Sequence, residues 1–268
     1  MTSASPLADW QRTTFAHDAL ELPVYVKGEG PVVVVMHEIP NLHPGVVRFG
    51  QRLVDEGFQV WMPSVLGRAG DDVSLRSNLT AIGRVCISRA FATFALRRTS
   101  PIVAWMRALA RHAGQGGPVG AIGMCLTGGF ALAMAVDDEL MAPVLSQPSM
   151  PFTFSPWHAR DLNLAPEDLH TVKRRCADDG LCVLGLRFSG DLMAPGARFR
   201  RLEEELGDAF VAVEIDSSLG NPHGVKPWAH SVLGIDYDPA PGHPTVDAEA
   251  RVIAFFHERL DATAPPTP

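Results

Sequence analysis

Residues 32–36, Val-Val-Val-Val-Met, form an apolar run without polar alternation. A strand wetted on one face alternates, whereas one covered by helices on both faces does not. The run therefore predicts a buried strand of a parallel sheet. Residues 45–57 follow with Val47, Phe49, Leu53 and Val54 near helical spacing, and Gly57 is suited to stop a helix. Residues 58–62 predict a second strand, closed by Pro63. After a polar stretch at 67–77, helical character runs from about 79 to 113, with Ile102, Val103, Met106, Leu109 and Ala110 as an apolar stripe. The loop Gly114-Gln115-Gly116-Gly117-Pro118 breaks it, residues 119–123 predict a third strand, and 128–136 a helix of small residues. Residues 146–179 are Pro-rich and less periodic, and predict an excursion that borders a site. Residues 181–188 and 210–215 predict a fourth and a fifth strand, and 246–260 a closing helix. Strands alternating with helices predict an α/β fold, a mostly parallel central sheet with helices on both faces. Residues 1–268 are expected to form one domain, with the excursion at 147–180 too short for a core of its own.

Composition narrows the function classes. With 268 residues, 46% hydrophobic and 20% charged, the chain is neither disordered nor too small for a sizeable core. A net charge of −7 removes the usual footprint of a nucleic-acid binder. The basic cluster Arg198–Arg201 runs into Glu203, Glu204 and Glu205, which predicts a solvated helix face. No apolar run approaches a membrane span, and the N-terminus lacks the pattern of a secretory signal. The four cysteines, Cys86, Cys125, Cys176 and Cys182, show no paired metal-ligand spacing. A cytoplasmic protein with free thiols, without metal or cofactor, is the expectation.

One cysteine stands apart. Gly123-Met124-Cys125-Leu126-Thr127-Gly128-Gly129 lies between an expected strand and an expected helix, the context of a nucleophile elbow. Small residues let strand and helix approach around the turn. The Leu126 N–H then lies at a helix N-terminus, where it can stabilise an oxyanion. The same helix end favours a thiolate. Cys86, Cys176 and Cys182 lack this context and read as ordinary buried thiols. An acid should follow on a later strand end, where Asp191 lies after Leu184–Gly190, with Asp216 in reserve. The base should follow the last strand, and spacing alone leaves His223 and His230 equal.

These residues resemble the dienelactone hydrolase family, α/β-hydrolases with a cysteine nucleophile. The likeness is carried by VVVVMHEIPNL, AIGMCLTGGFALAM, LRFSGDLMAPGARF and WAHSVLGIDYD, in that order. It implies Cys125 as nucleophile, Asp191 as the orienting acid and His230 as the base. It also implies that Glu38 contacts the cysteine and governs its ionisation, and that the N–H groups of Ile39 and Leu126 form the oxyanion hole. Two positions depart from the family pattern. Thr127 stands where glycine is common, and Gly234 stands where dienelactone-cleaving members carry a carboxylate-binding arginine. Arg68, Arg84 and Arg89 are the substitutes considered, and Trp157, with Phe152 and Phe154, is expected to shape the pocket. The expected activity is hydrolysis of a small ester or lactone through a thioester, with no nucleic-acid or membrane partner. The rival expectation is a ligand-binding or redox-sensing protein that uses the elbow cysteine.

Overall fold

The computed structural model describes residues 5–66, 68–73, 100–149 and 156–261, except the side chains of 156 and 157. Among the described residues the strands are β1 (Gln11–His17), β2 (Leu20–Lys27), β3 (Val32–Met36), β4 (Gln59–Pro63), β5 (Val119–Met124), β6 (Leu140–Ser146), β7 (Val183–Phe188) and β8 (Phe210–Ile215). They form one sheet in the order β1-β2-β4-β3-β5-β6-β7-β8. From β4 through β8 neighbouring strands are parallel, while β1 and β2 form an antiparallel pair at one edge.

Seven helices are described, α1 (Pro44–Asp55), α2 (Pro101–Gly114), α3 (Gly128–Met134), α4 (Pro156–Arg160), α5 (Pro166–Asp178), α6 (Gly196–Leu206) and α7 (Pro244–Leu260). They cover both faces, and β3 shows why its valine run has no polar position. Val32, Val34 and Met36 belong to one hydrophobic cluster with residues of α2, α3 and α6, and Val33 and Val35 to a second with residues of α1 and α7. Each fully buried valine contributes about 1.5–3 kcal/mol relative to exposure, so such a run has no other stable home. Helix starts follow the local chemistry. His43 caps α1 through Nδ1, which accepts from the Gly45 N–H, and Ser100 caps α2; each is followed by proline at the first helical position.

The structure differs from the sequence expectations in three places. The edge pair β1–β2 and the strand β6 are additional to the five expected strands. Exposed and half-buried positions dominate β1, which blurs its alternation. The expected excursion contains α5, an ordered helix of 13 residues whose mostly polar surface hid its period. Residues 79–99 of the long helical stretch lie outside the described residues, as do Cys86, Arg84, Arg89, Phe152 and Phe154. Finally, Arg198 is not on a solvated face but is buried, and its guanidinium donates to backbone carbonyls. No described helix is long and apolar enough to cross a membrane.

Candidate active site

Strand β5 ends at Met124 and the chain turns through a single 3-10 turn, Cys125–Thr127, into α3. Cys125 has φ +56°, in the left-handed region that non-glycine residues rarely occupy. Two glycines make this turn possible. A Cβ on Gly123 would lie 2.0 Å from the Thr127 carbonyl oxygen, and one on Gly128 would lie 2.7 Å from Pro148 Cα. Thr127, the departure from the family pattern, has its own use. Its Oγ1 accepts from the Met124 N–H at 2.8 Å and lies 2.9 and 3.0 Å from the carbonyls of Met124 and Met36. The hydroxyl thus ties the elbow to the end of β3.

Asp191 follows β7 and is buried. Its Oδ1 accepts from the N–H groups of Met193 (2.9 Å) and Ala194 (3.2 Å), which leaves Oδ2 to accept from His230 Nδ1 at 2.6 Å. The N–H groups of His230 and Ser231 both donate to Asp236 Oδ2, at 2.9 and 3.0 Å, so His230 is anchored by its main chain too. His230 Nε2 is buried and has no hydrogen-bond partner among the described residues. Burial pulls the imidazole pKa down, but interaction with the Cys125 sulfur and with the Asp191 carboxylate outweighs it, and the value is raised well above the ordinary one. The alternatives fall outside this arrangement. Asp216 caps its own turn at Ser218, and His223 is exposed with its ring beside that of His243.

Glu38 lies on the loop after β3 and is buried, not solvated. Its Oε1 accepts from His43 Nε2 at 2.8 Å and from the Ser231 hydroxyl at 2.5 Å, and its Oε2 accepts from Gln147 Nε2 at 3.0 Å. Burial raises its pKa, but the bonds from His43 and Ser231 and the charge of His230 prevail, and it is held below the ordinary glutamate value. Because His43 Nδ1 accepts from Gly45, its Nε2 carries the proton given to Glu38. The expected contact of Glu38 with the cysteine is thus replaced by bonds to His43, Ser231 and Gln147. The partner of the sulfur is Ser149, whose Oγ lies 2.9 Å from Cys125 Sγ.

His37 fixes the same loop. Its Nδ1 donates to the Glu38 carbonyl at 2.7 Å, and its Nε2 accepts from the N–H of Val65 at 3.1 Å. Burial lowers its pKa to about 4, so it is neutral. Ile39 follows directly, half-buried, and Leu126 is buried in the elbow turn. Arg68 is largely exposed on the loop after β4, 3.9 Å from Asp71, and the Trp157 side chain lies outside the described residues. Ser149 and Gln147 escaped the sequence reading because β6 did. A strand ending at Ser146 would have marked the next residues as lying at the carboxyl edge of a parallel sheet, where sites gather. Among the described residues no cluster of three His, Cys, Asp or Glu is arranged to hold a metal ion.

Residues 20–260 match the Dienelactone hydrolase family. No curated protein matches the chain. Among solved structures, dienelactone hydrolase from Anabaena variabilis ATCC 29413 is 16% identical with a TM-score of 0.59, over 94% of this chain and 98% of that one. A dienelactone hydrolase-like promiscuous phosphotriesterase from metagenomic libraries is 18% identical with a TM-score of 0.60, over 93% and 98%. The acylaminoacyl peptidase of Pyrococcus horikoshii is 13% identical with a TM-score of 0.58, over 97% of this chain but 43% of that one. At such identities the structures share the fold, and the family match carries the assignment. The chain is an α/β-hydrolase and belongs to the dienelactone hydrolase family.

Proposed function

We propose that this hydrolase cleaves a small carboxylic ester or lactone through a thioester on Cys125. The sulfur attacks the carbonyl, its proton having passed to His230 Nε2, and the C–O bond breaks as His230 returns that proton to the leaving oxygen. Water then attacks the thioester with His230 as base, which frees the acid product and restores the thiol. Asp191 orients the ring and stabilises the imidazolium. The N–H groups of Ile39 and Leu126 receive the oxyanion, donors each worth about 3–4 kcal/mol of barrier. The observation that carries the reading is the pairing of His230 with Asp191 at 2.6 Å beside a cysteine held at φ +56° on a strand-to-helix turn. Substrate contacts are proposed for Arg68, Arg84, Arg89 and Trp157, cationic and aromatic groups suited to a carboxylate or an apolar ring.

The test is turnover of p-nitrophenyl acetate and of a carboxylate-bearing lactone by Cys125→Ala. The expected result is a loss of about 10³-fold or more. Undiminished turnover refutes the proposal, and negligible turnover by the wild type across esters and lactones favours a sensing role instead.

A further inference from the structure

We propose that Ser149 is a positioning residue for the nucleophile, holding the Cys125 sulfur at rest and donating to it once its proton has moved to His230. The inference rests on the reading of Cys125 as nucleophile. Two bonds join the same pair of residues. Ser149 Oγ lies 2.9 Å from Cys125 Sγ, and the Ser149 N–H donates to the Cys125 carbonyl at 2.9 Å. The main-chain bond sets the separation that the side-chain bond uses.

The serine is itself clamped. Its neighbour Pro148 packs on Gly128 so closely that a Cβ there would be 2.7 Å from Pro148 Cα, and the Pro148 carbonyl accepts from Arg198 Nη1 at 2.6 Å. Ser149 is buried, which limits competition from bulk water for its hydroxyl. Glu38 is bound by His43, Ser231 and Gln147, and Arg198 gives its protons to carbonyls, so neither is free to serve the sulfur. His230 gives Nδ1 to Asp191, and its Nε2, which takes the Cys125 proton, becomes the charged donor. The Ser149 hydroxyl is the neutral donor beside it. That choice has chemical sense, because strong stabilisation of a thiolate also lowers its nucleophilicity. When the sulfur–carbon bond forms, the sulfur loses its charge and the hydroxyl is released without any proton being lost.

The experiment is the rate of iodoacetamide alkylation of Cys125 at neutral pH, read by mass spectrometry, for wild type, Ser149→Ala and Ser149→Thr. Near-UV circular dichroism establishes that each variant is folded. Ser149→Ala is expected to alkylate about tenfold more slowly, a change equivalent to the loss of one modest hydrogen bond. Its kcat for p-nitrophenyl acetate should fall in parallel while KM stays within about twofold, and Ser149→Thr should restore most of both rates. Alkylation of folded Ser149→Ala at the wild-type rate overturns the inference, as does a slowed rate that threonine does not restore. Alkylation follows the sulfur whether or not esters are turned over. Failure of the catalytic reading would show separately, as turnover surviving in Cys125→Ala.

Discussion

His37 carries the clearest single-residue consequence. Its ring is fully enclosed, with Nδ1 donating to one loop and Nε2 accepting from another, so neither nitrogen can take a second proton without breaking a bond. Burial lowers its pKa from 6.5 to about 4. The unfolded chain thus binds the proton first as pH falls. Stability is full above pH 6.5, declines between 6.5 and about 4, and levels off below. At 1.36 kcal/mol per pH unit the loss is about 3 kcal/mol. Urea melts from pH 7.5 to 4 should show this slope, and His37→Asn should flatten it. A slope unchanged in His37→Asn would assign the effect to other groups. Glu38 adds to the loss lower down, as pH falls through its depressed value. His37 was legible only as a residue flanking Glu38, because its partners Val65 and Leu66 lie far along the chain.

The decisive element is the strand–turn–helix joining β5 to α3. Its glycine spacing was readable in the sequence because the steric demand is local. Gly123 faces the Thr127 carbonyl oxygen within the same turn. Gly123→Ala should force the elbow open, costing about 2–4 kcal/mol in urea denaturation and most of the esterase activity. A variant with wild-type stability and turnover would mean that the turn is not under this constraint. The role of Thr127 was not readable, since its hydroxyl reaches Met36 on a strand some ninety residues earlier. Likewise β6 escaped notice because Pro143 and the short linker from α3 obscure it, and with β6 went Gln147 and Ser149.

Across the whole molecule, Arg198 ties the site together. Nε donates to the Asp161 carbonyl (2.8 Å), Nη1 to those of Pro148 (2.6 Å) and Met193 (3.4 Å), and Nη2 to that of His158 (3.1 Å). One side chain on α6 thereby fastens the segment bearing Ser149, the α4 region and the loop bearing Asp191. Burial lowers its pKa to about 10, so the charge persists at neutral pH. Arg198→Met would leave these carbonyls short of donors, at a cost of about 3–5 kcal/mol. Hydrogen exchange should accelerate at residues 148–149, 158–161 and 193 before the central strands respond. Uniform acceleration across the sheet would argue against a local clamp.

Periodicity and short motifs determined the parallel sheet, its covering helices, the elbow and the chemical types of the three residues proposed as a triad. Each of these depends on neighbours in sequence: alternation or its absence, glycine beside a turn, a carboxylate just past a strand. What the tertiary structure alone decided is which groups meet. It placed His230, which spacing left level with His223 and the family resemblance favoured, against Asp191, turned Glu38 toward His43, Ser231 and Gln147, and gave the sulfur to Ser149. It also drew Arg198 out of an apparently solvated cluster into the interior. The physical reason is that a buried polar group must find its hydrogen-bond partner wherever the packed chain supplies one. His43 is five residues from Glu38, but most of these partners stand tens to nearly two hundred residues away, beyond any local pattern.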